Sequence, residues 1–131
     1  MPVSGEVLLD TSVVIPYLKG DGAIRAQVQA NATLYLPQPA LGELFCGAHL
    51  SHNPARVLTQ VQNFLAGVVV LTPSVATAEH YGRIRAQLAK AGTPIPENDI
   101  WIAALALEHG FPLAARDAHF DLIGGLHVLK W

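Results

Sequence analysis

The sequence has few of the features that are typical of secreted or membrane proteins, namely paired cysteines, a long apolar segment and a basic stretch before an apolar one. Its single cysteine, Cys46, cannot form an internal disulfide, and we expect it to be a small buried apolar side chain in a reducing compartment. Its longest apolar runs, such as residues 100–107, are far shorter than the roughly 20 residues of a membrane span. The segment MPVSGEVLL has no basic stretch before an apolar one, which predicts no secretory signal and a cytoplasmic location.

Charged residues are also scarce. They make up 14% of the 131 residues, whereas an average soluble domain has roughly 25%. The formal net charge of −2 argues against a protein that holds nucleic acid by bulk positive charge. A chain of this length, 51% hydrophobic, predicts one domain over residues 1–131 with a single core. So few charged residues leave apolar residues on the surface, and we therefore expect a second copy of the chain to cover part of that surface in a homodimer.

The apolar pattern alternates between two types of element. Five short runs bounded by Gly, Pro or polar residues predict strands: EVLLD, ATLYLP, GVVVL, FPLAA and LHVLK. The segments between them have helical patterns at 11–20, 21–31, 38–50, 54–66, 74–91 and 97–109. Strands without clear in-out alternation, joined by segments of crossover length, predict an α/β fold with a mainly parallel sheet flanked by helices on both faces.

Four acids stand out against their apolar surroundings. Asp10 follows the first predicted strand, Asp117 follows the fourth, and the carboxyl ends of parallel strands share the edge at which ligands bind. Asp99 lies in the first turn of a predicted helix, and Glu43 is the only charged residue in 26–55. Each acid also has a structural explanation, as helix cap, dipole partner, turn residue or exposed helix glutamate.

If the four carboxylates converge, they require a cation, because like charges a few ångströms apart raise each other's pKa values. Oxygen ligands without a Cys or His cluster at zinc spacing favour Mg²⁺ or Mn²⁺. Such ions activate water and neutralise charge on phosphoryl groups, so the pattern predicts phosphodiester hydrolysis. The sequence has no evident nucleophile–histidine pair and no Gly-rich phosphate loop, which argues against nucleoside triphosphate binding.

Several polar residues next to these acids are weaker candidates for the same site. Asn98 places an amide beside Asp99, and Asp121 offers a further carboxylate beyond Asp117. We interpret His119 as an ordinary loop residue, because the sequence shows no partner for it. An RNA groove would need basic side chains, and solubilising charge explains the available ones equally well: Arg83, Arg85, Lys90 and Arg116.

Taken together, the segments LLDTSVVI, LGELFCGA, IRAQLAKAGTPIPENDIWIAALAL and ARDAHFDLIGGLHVL resemble the PIN-domain nucleases. They most resemble the VapC-like ribonuclease toxins of bacterial toxin-antitoxin pairs, over essentially the whole chain. The resemblance implies a compact α/β fold and Mg²⁺-dependent or Mn²⁺-dependent endoribonuclease activity on RNA, such as tRNA or another structured RNA. It also implies a homodimer that a cognate antitoxin protein inhibits.

The resemblance carries over to individual residues. The positions that match the family's metal-binding acids are Asp10, Glu43, Asp99 and Asp117, and Ser12 matches a hydroxyl position near the first acid. One position departs from the pattern. The family often has Thr or Ser two residues before the fourth acid, and this chain has Ala115 there, so a hydrogen bond to metal-bound water or phosphate is missing.

Two other functional interpretations stay open at this point. A receiver-like signalling module is also a small parallel α/β domain with acids at strand ends, but it needs an acidic pair after its first strand, and Asp10 is followed by Thr-Ser. A PIN-like domain that binds RNA or protein without cutting is the second alternative, and the loss of the hydroxyl at Ala115 favours it.

Overall fold

Strands and pairs of helices alternate along the residues that the structure, a computed structural model, describes: 5–31 and 33–131. The strands are β1 (Glu6–Leu9), β2 (Thr33–Pro37), β3 (Val69–Leu71), β4 (Leu113–Ala114) and β5 (Val128–Leu129). The helices are α1 (Thr11–Leu18), α2 (Gly22–Ala30), α3 (Gln38–Leu50), α4 (Pro54–Leu65), α5 (Val75–Ala91) and α6 (Glu97–His109), and a 3₁₀ helix (Ala118–Leu122) follows β4. All strand pairs are parallel, which confirms the predicted fold class.

The sheet has the strand order β3-β2-β1-β4-β5, so the first strand lies at its centre. The chain leaves β1 towards β2 on one side and later returns to β4 on the other. Loops diverge at such a reversal of strand order, and α/β proteins bind their ligands in the crevice that results. Asp10 follows β1 and Asp117 comes shortly after β4, so both acids lie at this reversal.

The core covers both faces of the central strand. Val7, Leu8 and Leu9 are 2%, 0% and 1% exposed, and successive side chains of a strand point to opposite faces. Helix α6 is buried from Asp99 to Ala106, apart from the partly exposed Trp101, so tight packing fixes its first turn. Within the described part of the chain, no helix has the length and apolar character needed to cross a membrane.

A buried polar contact joins the start of α5 to the end of α6. The Thr77 side chain is fully buried, and its hydroxyl donates a hydrogen bond to the carboxylate of Glu108. The Ser74 hydroxyl donates to the second oxygen of Glu108 at 3.1 Å. These bonds, the one from Thr77 first, lower the pKa of Glu108. Because Ser74 also caps α5, this contact holds the far end of the helix whose first turn carries Asp99.

The predicted boundaries hold for α3 and α6, whereas the strands are shorter than predicted. The fourth predicted strand, 111–115, pairs only at Leu113–Ala114, and Pro112 before it has no amide hydrogen to extend the ladder. Two predictions fall partly outside the described residues. Residues 1–4 belong to the segment from which we predicted no secretory signal, and Ala32 begins the second predicted strand.

The prediction that Cys46 is buried is wrong, because its thiol is exposed. Helix α3 buries Ala40, Leu44 and Ala48, which recur every four residues along one face. Cys46 comes two residues after Leu44 and therefore lies about 200° around the helix from it. The apolar neighbours of Cys46 in the sequence suggested burial, but its side chain lies on the face of α3 that is turned away from the core.

The contact between Thr77 and Glu108 predicts a loss of stability when its hydroxyl is removed. In Thr77→Val, the carboxylate of Glu108 loses a buried donor, and we expect the free energy of unfolding in urea to fall by about 2 kcal/mol. Thr77→Ser is the matched control, because it keeps the hydroxyl and loses one methyl group, at a cost of about 1 kcal/mol. A Thr77→Val protein as stable as the wild type would show that the bond contributes nothing.

The same contact has a pH signature in Glu108→Gln. The folded pKa of Glu108 lies below its unfolded value, so ionised Glu108 stabilises the fold above the unfolded pKa. That contribution is lost as the pH falls through the folded pKa. The stability difference between wild type and Glu108→Gln should therefore be largest near neutral pH, should shrink as the pH falls below the unfolded pKa of about 4.3, and should close below the lowered folded pKa.

Candidate metal centre

Asp10 lies at the carboxyl end of β1 and caps α1, as predicted. Its Oδ2 accepts hydrogen bonds from the Ser12 amide at 3.1 Å and from the Ser12 hydroxyl at 2.6 Å. Its Oδ1 is buried and has no hydrogen-bond partner among the residues that the structure describes, and the residue is only 2% exposed. A buried carboxylate oxygen without a partner is costly, so the cap accounts for one oxygen of Asp10 and leaves the other available to a ligand.

Asp99 lies in the first turn of α6 and is 7% exposed. The helix begins after Pro96, which provides no side-chain cap, so Asp99 complements the positive end of the helix dipole, as expected. Its Oδ2 lies 2.9 Å from Nδ1 of His119. Burial raises the pKa of Asp99, the hydrogen bond with His119 lowers it, and the charges of Asp10 and Asp117 raise it further.

A tight turn after β4 presents Asp117 and His119. Oδ1 of Asp117 accepts a hydrogen bond from the His119 amide at 2.9 Å and so caps the 3₁₀ helix. The same oxygen lies 3.0 Å from Nδ1 of His119, which places that nitrogen between Asp99 and Asp117. Potential ligand atoms of these three residues all lie within 4.8 Å of one another. The fully buried Phe120 anchors the turn in the core.

The interpretation of His119 as an ordinary loop residue without a partner is therefore wrong. Its partner Asp99 lies 20 residues away in the sequence, on a different element. The available signal was local, because His119 follows Asp117 by two residues in a turn that ends at an apolar aromatic residue. That pattern predicts an imidazole beside Asp117, but it does not predict the contact with Asp99.

Glu43 reaches the same region from α3. Its pKa is raised by burial, lowered by a hydrogen bond with Asn98, and raised further by the charges of Asp10, Asp99 and Asp117. The Asn98 amide also donates to the backbone oxygen of Pro39 at 3.3 Å, which links the start of α6 to the start of α3. Glu43 is exposed and lies near enough to the other three acids for their charges to raise its pKa, but it is not among the residues whose ligand atoms lie within 4.8 Å of one another. Asn98 lies at the junction between the two helices.

The cluster carries negative charge that its surroundings do not balance. Burial raises the pKa of Asp10 above its ordinary value, and the charge of Asp117 adds to this. Basic side chains on the nearby loops pair with other acids, Arg116 with Asp21 at 3.3 Å and Lys130 with Asp121 at 2.8 Å. A divalent cation would relieve the repulsion and would give Oδ1 of Asp10 a partner, so these residues fit a metal ion.

Ser12 connects the two strands that border the cluster. Its hydroxyl donates to Asp10 and accepts a hydrogen bond from the Arg116 amide at 2.9 Å. The Arg116 guanidinium is directed to the surface, where it contacts Asp21 and the Trp131 backbone oxygen. Ala115 is fully buried next to this bridge. Ser12 therefore supplies a hydroxyl beside the position at which Ala115 lacks one.

The remaining candidates lie outside the cluster. The Asp121 carboxylate is 52% exposed and binds Lys130 through both oxygens, so the structure does not bring it to the other acids. Arg83 pairs with Glu79 at 2.7 Å, and Arg85 lies 3.6 Å from Glu97. These exposed pairs are typical of solubilising surface charge.

Comparisons with known proteins agree with this geometry. The family model of the PIN domain matches residues 7–126. The chain is similar to the tRNA(fMet)-specific endonuclease VapC of Shigella flexneri, with 32% identity over 127 residues that cover 95% of this chain and 96% of the relative. Among solved structures, it is similar to DNA-bound VapBC from Salmonella typhimurium, with a TM-score of 0.89, 30% identity and coverage of 96% and 98% of the two chains.

A third similar structure is a member of the VapBC family of toxin-antitoxin systems, VapBC-5 from Mycobacterium tuberculosis. Its TM-score is 0.79 at 25% identity, and the match covers 99% of this chain and 100% of the other. None of these proteins supports the receiver-like interpretation. The parallel sheet, the acids at its strand reversal and the matched relatives agree that this chain belongs to the PIN-domain family.

Proposed function

We propose that this protein is a metal-dependent endoribonuclease that acts as the toxin of a bacterial toxin-antitoxin pair. One observation carries the proposal: a buried acid, Asp10, has an unpartnered oxygen within an acidic cluster. The cluster belongs to a chain that aligns with a VapC endonuclease over 95% of its length. Buried acids that destabilise one another are typical of functional sites.

The proposed ligands are the four predicted acids, Asp10, Glu43, Asp99 and Asp117, and the proposed ion is Mg²⁺ or Mn²⁺. Carboxylate oxygens are the ligands that these hard ions prefer. When bound, such an ion lowers the pKa of coordinated water and neutralises charge that develops on a phosphoryl group. The substrate reaction would be hydrolysis of an RNA phosphodiester bond.

The protein's own residues orient this site. The hydroxyl of Ser12 holds one oxygen of Asp10, so the other oxygen keeps a fixed direction. Asn98 lies beside Glu43 and lowers its pKa, while its amide donates to the Pro39 backbone oxygen and so positions the start of α6 against α3. The Asp117 side chain is 34% exposed, so water reaches it more readily than the buried acids, and we assign it to orienting the attacking water.

We propose tRNA as the substrate class, because the Shigella flexneri relative is named a tRNA(fMet)-specific endonuclease. The partner would be a cognate antitoxin protein, as in the toxin-antitoxin family of the Mycobacterium tuberculosis structure. We also propose a homodimer in the cytoplasm. Low charge content across the chain, 14% of its residues, is what supports a second copy that covers part of the surface.

A domain that binds without cutting is the second candidate, and Ala115 is the observation that favours it. The buried Ala115 lacks the hydroxyl that the resemblance to the PIN-domain nucleases leads us to expect two residues before the fourth acid. The bridge from Ser12 to the Arg116 amide weakens this candidate, because it brings another hydroxyl to the neighbouring backbone position. A domain that binds without cutting would also have no need for a cluster of acids without a balancing positive charge.

Asp10→Asn and Asp99→Asn should each reduce RNA cleavage by at least about 100-fold, since loss of a ligand costs at least as much as loss of a residue that orients one. Asn keeps an oxygen acceptor for the existing hydrogen bonds, so both variants should fold, which circular dichroism checks. Glu79→Gln is the control, because this exposed acid pairs with Arg83 away from the cluster. Full activity in either Asn variant would refute the assignment.

Metal binding should be visible without activity. At about 100 times its dissociation constant, Mn²⁺ or Mg²⁺ should raise the free energy of unfolding of the wild type by about 2.7 kcal/mol. Asp10→Asn should lose most of this increment, whereas Glu79→Gln should keep it. Urea unfolding with and without the ion measures the effect, and equal stabilisation of all three proteins would mean that the ion binds elsewhere.

Mapping of cleavage sites on total RNA tests the substrate. We expect a few cuts within tRNA that require a divalent ion and disappear in Asp10→Asn, because recognition of folded RNA depends on shape and on accessible loops. Cuts confined to messenger or ribosomal RNA would refute tRNA as the substrate class and leave the nuclease proposal intact. The absence of any ion-dependent cut would favour the binding-only alternative.

A further inference from the structure

We propose that Nδ1 of His119 is a ligand in this metal centre, so that its donor set mixes nitrogen with oxygen and favours Mn²⁺ over Mg²⁺. The inference rests on the proposed function, because it concerns the same site. It adds a residue that lies outside the four acids on which the family resemblance depends. The resulting selectivity is a property of this chain rather than of the acidic cluster alone.

The position of the imidazole nitrogen carries the proposal. Nδ1 lies 2.9 Å from Oδ2 of Asp99 and 3.0 Å from Oδ1 of Asp117. In an octahedral site with ligand distances of about 2.1 Å, adjacent donor atoms are about 3.0 Å apart. The nitrogen is therefore spaced from both carboxylates as neighbouring ligands of one ion are spaced.

The turn holds His119 in this position. Its amide donates to Asp117, which fixes the backbone between the two residues, and the next residue, Phe120, is fully buried. The imidazole is 45% exposed, and the Asp99 side chain on its other side is 10% exposed. The ring therefore closes the cluster on its solvent side while the core fixes its backbone.

An ion pair between His119 and the acids does not explain the cluster. A single imidazole N–H can donate one hydrogen bond well, whereas two carboxylates lie within 3.0 Å of it. At most one positive charge would face four carboxylates, and Oδ1 of Asp10 would still be buried without a partner. A divalent ion would satisfy the imidazole, Asp99 and Asp117 together, because their potential ligand atoms lie within 4.8 Å of one another.

The donor set determines which ion binds best. Mg²⁺ takes oxygen ligands and holds its waters strongly, whereas imidazole is a ligand for first-row transition-metal ions. Nitrogen in the set therefore favours Mn²⁺ relative to Mg²⁺. His119→Asn offers an amide oxygen near the position of Nδ1, so it should restore an oxygen-only set and lower the ratio of Mn²⁺ to Mg²⁺ affinity.

The experiment is pulsed electron paramagnetic resonance of Mn²⁺ bound to the full chain, with calorimetric titration of Mn²⁺ and Mg²⁺. The wild type should show a nitrogen coupling from a directly bound imidazole, which His119→Gln and His119→Asn should lose. Mn²⁺ affinity should fall by about tenfold or more in both variants, with a change of less than about threefold for Mg²⁺. His52→Gln, which alters an exposed histidine after α3, should behave as the wild type.

Each outcome separates this inference from the proposed function. RNA cleavage and Asp10-dependent Mn²⁺ binding without a nitrogen coupling would overturn the ligand role of His119 and leave the nuclease intact. Tighter Mn²⁺ binding in His119→Gln would also overturn it, because the imidazole would then compete with the ion. Failure of the wild type to bind Mn²⁺ would overturn both proposals, whereas nitrogen-coupled Mn²⁺ binding without RNA cleavage would overturn the nuclease and leave the ligand role of His119 intact. Circular dichroism confirms that each variant is folded.

Discussion

The burial of the Asp10 carboxylate at the end of the central strand is the constraint on which the site depends. The sheet places this acid at the reversal of strand order, where β1 and β4 diverge and loops leave a crevice. Ser12 and the helix cap satisfy one oxygen, but the covered strand around it leaves no protein partner for Oδ1. A buried, unpartnered acid persists only where function compensates for its cost, and here other acids surround it.

The rest of the fold positions the other acids against that strand. Helix α6 is buried along most of its length, so its first turn presents Asp99 to the crevice with little freedom to move. The hydrogen bonds of Thr77 and Ser74 to Glu108 fix the opposite end of α6. One end of the helix therefore has a compensated acid with a lowered pKa, and the other end has an acid with a raised pKa. Glu108 stabilises the fold, whereas Asp99 belongs to the candidate metal centre.

The sequence allowed the strands and the helices to be predicted, because periodicity and Gly and Pro boundaries are local properties. Of the four predicted acids, Asp99 and Asp117 have potential ligand atoms within 4.8 Å of each other. The ends of α3 and α6 were correct to the residue. Contacts between distant residues could not be predicted: His119 with Asp99, and Ser12 with the Arg116 amide 104 residues away. The exposure of Cys46 was missed for a related reason, since burial on a helix depends on which side the sheet covers.

The ten acids of this chain divide into those that stabilise the fold and those that form the candidate metal centre. Five of the six acids outside the cluster have a basic or hydroxyl partner that accounts for them: Asp21, Glu79, Glu97, Glu108 and Asp121. In the cluster, the Ser12 hydroxyl bonds one oxygen of Asp10 and the His119 imidazole lies beside Asp99 and Asp117, yet burial and the neighbouring charges raise the pKa values of Asp10, Glu43 and Asp99. The proposed cation would relieve the repulsion within the cluster, where Asp10 and Asp99 are buried, and would explain why they lie beside further acids.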